Sequence, residues 1–68
     1  MSKELTQKEG NVIALLYLGK LQRGKLSREE CMDEIQIKLS KEGYSKGSIL
    51  GVQAEFNHLA DEHGDYKW

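Results

Sequence analysis

The longest apolar run in the chain is the seven-residue stretch from Val12 to Leu18, within a sequence that is otherwise polar and charged. At about 100° per residue in a helix, four apolar residues share one face: Leu5, Val12, Leu15 and Leu16. Four more spread around the rest of the circumference: Ile13, Tyr17, Leu18 and Leu21. Since a helix that is apolar nearly all round is buried on several sides, other helices, a second copy of the chain or a partner protein should cover it.

Local signals set the bounds of this first helix. Thr6 and Glu9 have the spacing of a capping box just ahead of the apolar run. Gly24 stands where a residue in the left-handed conformation ends a helix. We therefore predict a helix from about residue 7 to residue 23, preceded by a frayed start over residues 1 to 5.

A second helix is predicted over residues 28–42. Ser27 and Glu30 form another capping box, and Gly43 follows at the usual position for a helix stop. The apolar residues of this helix make one stripe: Cys31, Met32, Ile35 and Leu39. Ile37 falls on the opposite side, so we expect it to be exposed.

A third helix is predicted over residues 46–62, capped by Ser45 or by Ser48. Its apolar residues fall on one face: Ile49, Val52, Phe56, Leu59 and Ala60. Gly64 follows the helix, and residues 65–68 form a short tail that contains two aromatic side chains. The pattern as a whole predicts an all-α fold, a compact three-helix unit with short turns and a brief C-terminal tail, in a single small helical domain over residues 1–68.

Composition narrows the functional classes. The chain has 68 residues, no proline, one cysteine and a net charge of −1. A single cysteine cannot form an internal disulfide, and the net charge gives no general attraction to nucleic acid. The apolar run is too short to span a membrane, and no signal-peptide pattern precedes it. We expect a soluble cytoplasmic protein; such short chains are often accessory proteins of phages or mobile elements.

No residue pattern indicates catalysis. Cys31 lies on the apolar stripe of the second helix, where a buried structural cysteine is expected instead of a nucleophile. The histidines and carboxylates near the C-terminus match no zinc spacing, and no glycine-rich phosphate loop is present. We therefore expect no catalytic residue, no metal, no cofactor and no small-molecule substrate.

The stretch from Ile35 to about Ala54 resembles a helix-turn-helix on the spacing of Gly43, Tyr44, Ile49 and Val52. Leu39 and Lys38 depart from the family pattern, which prefers a small and an apolar residue at those positions. The resemblance implies DNA binding, with base contacts from four residues: Lys46, Ser48, Gln53 and Asn57. It implies phosphate contacts from three others: Arg23, Lys38 and Lys41. Residues 44–68 carry two basic and four acidic side chains, which counts against DNA affinity.

The favoured hypothesis is a small regulator or inhibitor that binds another protein or forms a homodimer. It is indicated by the excess of apolar residues in the first helix and by the lack of any reactive constellation. The expected contact residues are Ile37, Leu50, Tyr66 and Trp68. DNA binding through the third helix is the alternative.

Overall fold

Three α-helices form in the order that the apolar pattern predicts. The computed structural model describes residues 3–64. Helix α1 spans Gln7–Gln22, α2 spans Arg28–Lys41 and α3 spans Lys46–Leu59, and a π-helical turn over Ala60–Gly64 extends α3. The all-α, three-helix prediction is confirmed.

The helix bounds follow from the predicted capping residues. Thr6 with Glu9, and Ser27 with Glu30, both form reciprocal capping boxes, so each pair satisfies two backbone amides that helix formation leaves unpaired. Ser45 caps α3 by accepting a hydrogen bond from the amide of Ser48. Gly24 and Gly43 end the first two helices at φ values of 73° and 88°, a region that favours glycine.

The core lies where α1 and α2 pack onto α3. The predicted stripes of the second and third helices are confirmed. The buried residues of α2 are Cys31, Ile35 and Leu39, and those at the inner face of α3 and its extension are Ile49, Val52, Phe56 and Ala60. Met32 and Leu59 are half-buried and pack against this core.

Helix α1 is buried on one side only, so of the three covers considered, the other described helices do not supply one for its remaining apolar surface. The buried residues are Ala14, Tyr17 and Leu18, not the face shared by Val12, Leu15 and Leu16. A Cβ atom added to Gly10 would lie only 3.4 Å from Cγ2 of Val52. This distance is ordinary van der Waals contact, so the face of α1 with Gly10 and the fully buried Ala14 packs directly on α3.

The prediction of a frayed start is wrong for Lys3 to Leu5. The amide of Lys3 donates to the carbonyl of Gly43 at 2.8 Å, and the amide of Ser45 donates to the carbonyl of Lys3 at 2.7 Å. These bonds form a single parallel bridge between Lys3 and Tyr44. Lys3 is thus fixed on the turn between α2 and α3.

Candidate functional site

The side of α1 that faces away from the core carries three exposed apolar side chains. Val12 is 51%, Leu15 48% and Leu16 62% exposed. Their i, i+3, i+4 spacing places them together on one helix face. We call these three residues the outer row. They are the face that the sequence favoured for burial, and the described part of the chain leaves them uncovered.

An apolar groove runs between α1 and α2 next to the outer row. One part has a volume of about 280 Å³, and Leu16, Tyr17, Lys38 and Tyr44 are among its lining residues. The other part has a volume of about 310 Å³ and reaches Ile37. Tyr17 and Lys38 line both parts, so the two form one continuous surface, which we call the α1–α2 groove.

Charge is uneven along the α1–α2 groove. The part that reaches Ile37 is lined by three lysines and one carboxylate: Lys20, Lys38, Lys41 and Glu34. The Nζ atom of Lys20 lies 5.0 Å from the centre of the Tyr17 ring, within range of a cation–π interaction. Burial, aided by the charge of Glu34, raises the pKa of Tyr17. This part of the groove therefore combines an aromatic floor with a positive rim.

The predicted partner-binding residues fall on different surfaces. Ile37 is 65% exposed and Leu50 is 57% exposed. Ile37 lines the α1–α2 groove. Leu50 of α3 lines another cavity with Lys46, and that cavity shares Tyr44 with the groove. Tyr66 and Trp68 lie outside the described residues. Leu16 and Lys20 were not among the predicted contacts, although the excess of apolar residues in the first helix was a signal that included Leu16.

Three of the residues predicted to face DNA bases make hydrogen bonds within the protein. Oγ of Ser48 accepts a hydrogen bond from the amide of Leu5 at 2.9 Å. Nε2 of Gln53 donates to the carbonyl of Met32 at 3.1 Å. Oδ1 of Asn57 accepts from Nε of Arg28 at 3.1 Å. These polar groups are thus engaged within the protein.

The lysines predicted for DNA binding line two different cavities. Lys38 and Lys41 line the α1–α2 groove, and Lys46 lines the cavity near Leu50. The guanidinium of Arg23 lies against Gly19 at the end of α1. The structure thus places the proposed phosphate contacts and Lys46 on different parts of the molecule.

Cys31 is fully buried, as expected for a structural cysteine. Its Sγ atom lies 3.6 Å from the carbonyl oxygen of Tyr17, to which the thiol donates a hydrogen bond. Burial raises the pKa of the thiol, and the nearby carboxylate of Glu34 adds to this shift. Because the thiolate is the reactive form, Cys31 is in an unreactive setting.

The polar groups near the end of α3 form surface ion pairs. Nη2 of Arg28 lies 2.7 Å from Oδ1 of Asp61. Nε2 of His58 lies 3.4 Å from Oε1 of Glu62, and that of His63 lies 3.9 Å from the same oxygen. Within the part of the chain that the structure describes, no three potential ligands are grouped for a metal ion.

The chain matches no family model, no curated protein and no solved structure. The described helices include none that combines the length and the apolar character needed to cross a membrane.

Proposed function

We propose that this protein is a non-enzymatic regulator or inhibitor that acts by binding another protein through the outer row and the adjoining α1–α2 groove. The observation that carries the proposal is the exposure of Val12, Leu15 and Leu16 on a helix whose opposite face is buried. Single exposed apolar residues are common, but contiguous apolar patches mark interaction sites.

The energetics of the outer row support a binding role. Fully burying a valine or leucine side chain contributes about 1.5–3 kcal/mol. Each residue of the outer row is about half exposed, so a partner that covers all three gains on the order of 1 kcal/mol from each. In a protein of this size, the exposed outer row would add little to the free energy of folding and much to the free energy of association.

Helix-turn-helix DNA binding is the second candidate. It is supported by the turn at Gly43, which joins α2 to α3 as in that family, and by the exposed Lys46 at the start of α3. The internal hydrogen bonds of Ser48, Gln53 and Asn57 weigh against it, because base readout requires free donors and acceptors.

Site-specific photo-crosslinking in the cells that produce the protein tests the proposal. A crosslinking residue at Val12 should give a defined adduct with a partner protein, whereas the same residue at exposed Glu29 on α2 should not. A second change, Leu16→Glu, should remove the adduct because it places a charge in the apolar contact. If both positions give the same adducts, or if neither gives one, the proposal is wrong.

An NMR titration of isotope-labelled protein separates protein binding from DNA binding. A mixed-sequence DNA duplex at low salt should leave its amide NMR spectrum unchanged. Shifts that gather over residues 46–57 and fade as salt rises would support DNA binding instead. An adduct with the mass of two copies of this chain would identify the partner as the protein itself.

A further inference from the structure

We infer that the α1–α2 groove receives an amphipathic helix with acidic flanks from a partner protein. This inference rests on the proposed function and adds the chemistry of the partner. A helix laid in a groove inserts apolar side chains at i, i+3, i+4 and i+7 spacing. The groove offers what such a helix needs, an apolar floor between two exposed apolar walls.

The walls and floor come from two helices. Leu16 of α1 and Ile37 of α2 are each more than 60% exposed, and each lines one part of the groove. Tyr17 is only 5% exposed and lines both parts. The two parts, of about 280 and 310 Å³, are at the lower limit of roughly 300 Å³ for ligand pockets. They are thus of a size for single apolar side chains of a docked segment.

The charge on the rim favours acidic flanks on the partner. Lys20, Lys38 and Lys41 line the part that reaches Ile37, together with Glu34. Glu42 lines the other part, so the lysines of the groove outnumber its carboxylates by three to two. Lys38 and Lys41 also lie in the last turn of α2. Carboxylates on either side of an apolar helix face would meet these ammonium groups, and complementary charge sets orientation and association rate.

Two other occupants fit less well. A DNA backbone would pair with the lysines but would leave the Tyr17 and Ile37 surfaces without an apolar contact. A second copy that packed its own α1 antiparallel against the outer row would bring Lys8 of one chain toward Arg23 of the other at both ends. Like charges so placed are unfavourable.

The test uses two synthetic helical peptides and the full chain. Both peptides carry leucines at i, i+3, i+4 and i+7; one has glutamates on the flanking positions and the other has lysines there. In an NMR titration, the glutamate peptide should shift the amides of Leu16, Tyr17 and Ile37, and added salt should weaken its binding. The lysine peptide should bind less tightly by about tenfold.

Charge reversal on the groove provides the matched control. The double variant Lys38→Glu with Lys41→Glu should lose about tenfold in affinity for the glutamate peptide and gain affinity for the lysine peptide. Lys8→Glu, near the start of α1 and away from the groove, should leave both affinities unchanged. An unchanged NMR spectrum away from the substituted sites would show that each variant keeps the fold.

Three results would overturn the inference. The first is equal affinity for the two peptides. The second is no chemical-shift change at the groove residues at up to about 1 mM peptide. The third is a larger chemical-shift change of the lysine signals with duplex DNA than with the glutamate peptide. If crosslinking from Val12 still captures a partner while the peptide test fails, the proposed function stands and the assignment of an acidic helix is wrong. If crosslinking fails while the groove binds the glutamate peptide, the proposed function is wrong, and the inference fails with it because it assigns the helix to a partner protein.

Discussion

The amide of Leu5 and the hydroxyl of Ser48 are joined by a 2.9 Å hydrogen bond across 43 positions of the chain. The same oxygen receives a hydrogen bond from Oγ of Ser45, and the hydroxyl of Ser48 donates to Oε1 of Glu4 at 3.1 Å. One half-buried serine in the first turn of α3 therefore fixes both the cap of that helix and the segment ahead of α1.

Replacing Ser48 should reduce stability. Ser48→Ala leaves the Leu5 amide without its partner, so we expect a loss of about 1–2 kcal/mol in the free energy of unfolding. For a domain of this size, each 1 kcal/mol lowers Tm by roughly 4–8 °C. Ser40→Ala, at an exposed position on α2, should change the free energy of unfolding by less than about 0.5 kcal/mol. Thermal unfolding followed by circular dichroism measures both, and equal Tm values for the two variants would contradict the role of Ser48.

Truncation of two leucines of α1 that are two positions apart should change the free energy of unfolding by very different amounts. Leu18 is buried and Leu16 is 62% exposed. Leu18→Ala removes core packing and should cost about 2–5 kcal/mol, whereas Leu16→Ala should stay within about 0.5 kcal/mol. Urea denaturation gives both values. If Leu18→Ala does not fold, Leu16→Ala still tests whether the outer row is dispensable for folding, and a loss above 1 kcal/mol there would contradict its exposure.

Stability on the acid side should depend on Glu30 and not on its neighbour Glu29. Hydrogen bonds from the backbone and side chain of Ser27 lower the pKa of Glu30 in the folded state. A carboxyl whose folded pKa is depressed adds stability that is present above its unfolded pKa, about 4.3, and that is lost as the pH falls through the folded value. Glu30→Gln should therefore flatten the decline of Tm below about pH 4.3.

Glu29 is the matched control for that measurement. It lies in the same first turn of α2 but makes no capping bond. We expect Glu29→Gln to keep the acid dependence of the original chain. A decline that is equally steep in the Glu30→Gln variant would show that the capping box does not contribute to the pH dependence.

The buried thiol should resist chemical labelling and should weaken the fold at alkaline pH. Burial raises the folded pKa of Cys31. A neutral buried thiol adds stability that is present below the unfolded pKa, about 8.5, and that is lost as the pH rises through the folded value. Native protein should thus react with a thiol reagent far more slowly than protein in urea. Fast labelling of the native chain at neutral pH would contradict the burial of Cys31.

Features set by neighbouring residues were predictable from the sequence. The capping pairs, Gly24, Gly43 and the stripes of the second and third helices depend on contacts within one or two turns, and the structure has them where the pattern placed them. Ile37 was expected to be exposed for the same reason, because it lies on the side of α2 opposite the single apolar stripe of that helix.

Features set by contacts between distant parts of the chain were not predictable. The sequence of α1 is apolar on two sides, and its periodicity does not reveal which of them packs on α3. The hydrogen-bond partner of Leu5 is 43 positions away, so the ordered conformation of Leu5 could not be predicted from nearby residues. The candidate site depends on the same long-range packing, because the α1–α2 groove forms only when the outer row of α1 faces away from the core.

The parallel bridge between Lys3 and Tyr44 has a consequence for synthesis on the ribosome. Domains fold as the chain is made from its N-terminus, yet Lys3 has no partner until the turn at Gly43 and the cap of α3 have formed. Lys3 therefore becomes ordered only after residues some 40 positions later in the chain have folded. Protection of the Lys3 and Ser45 amides from hydrogen exchange would show when the nascent chain has completed its fold.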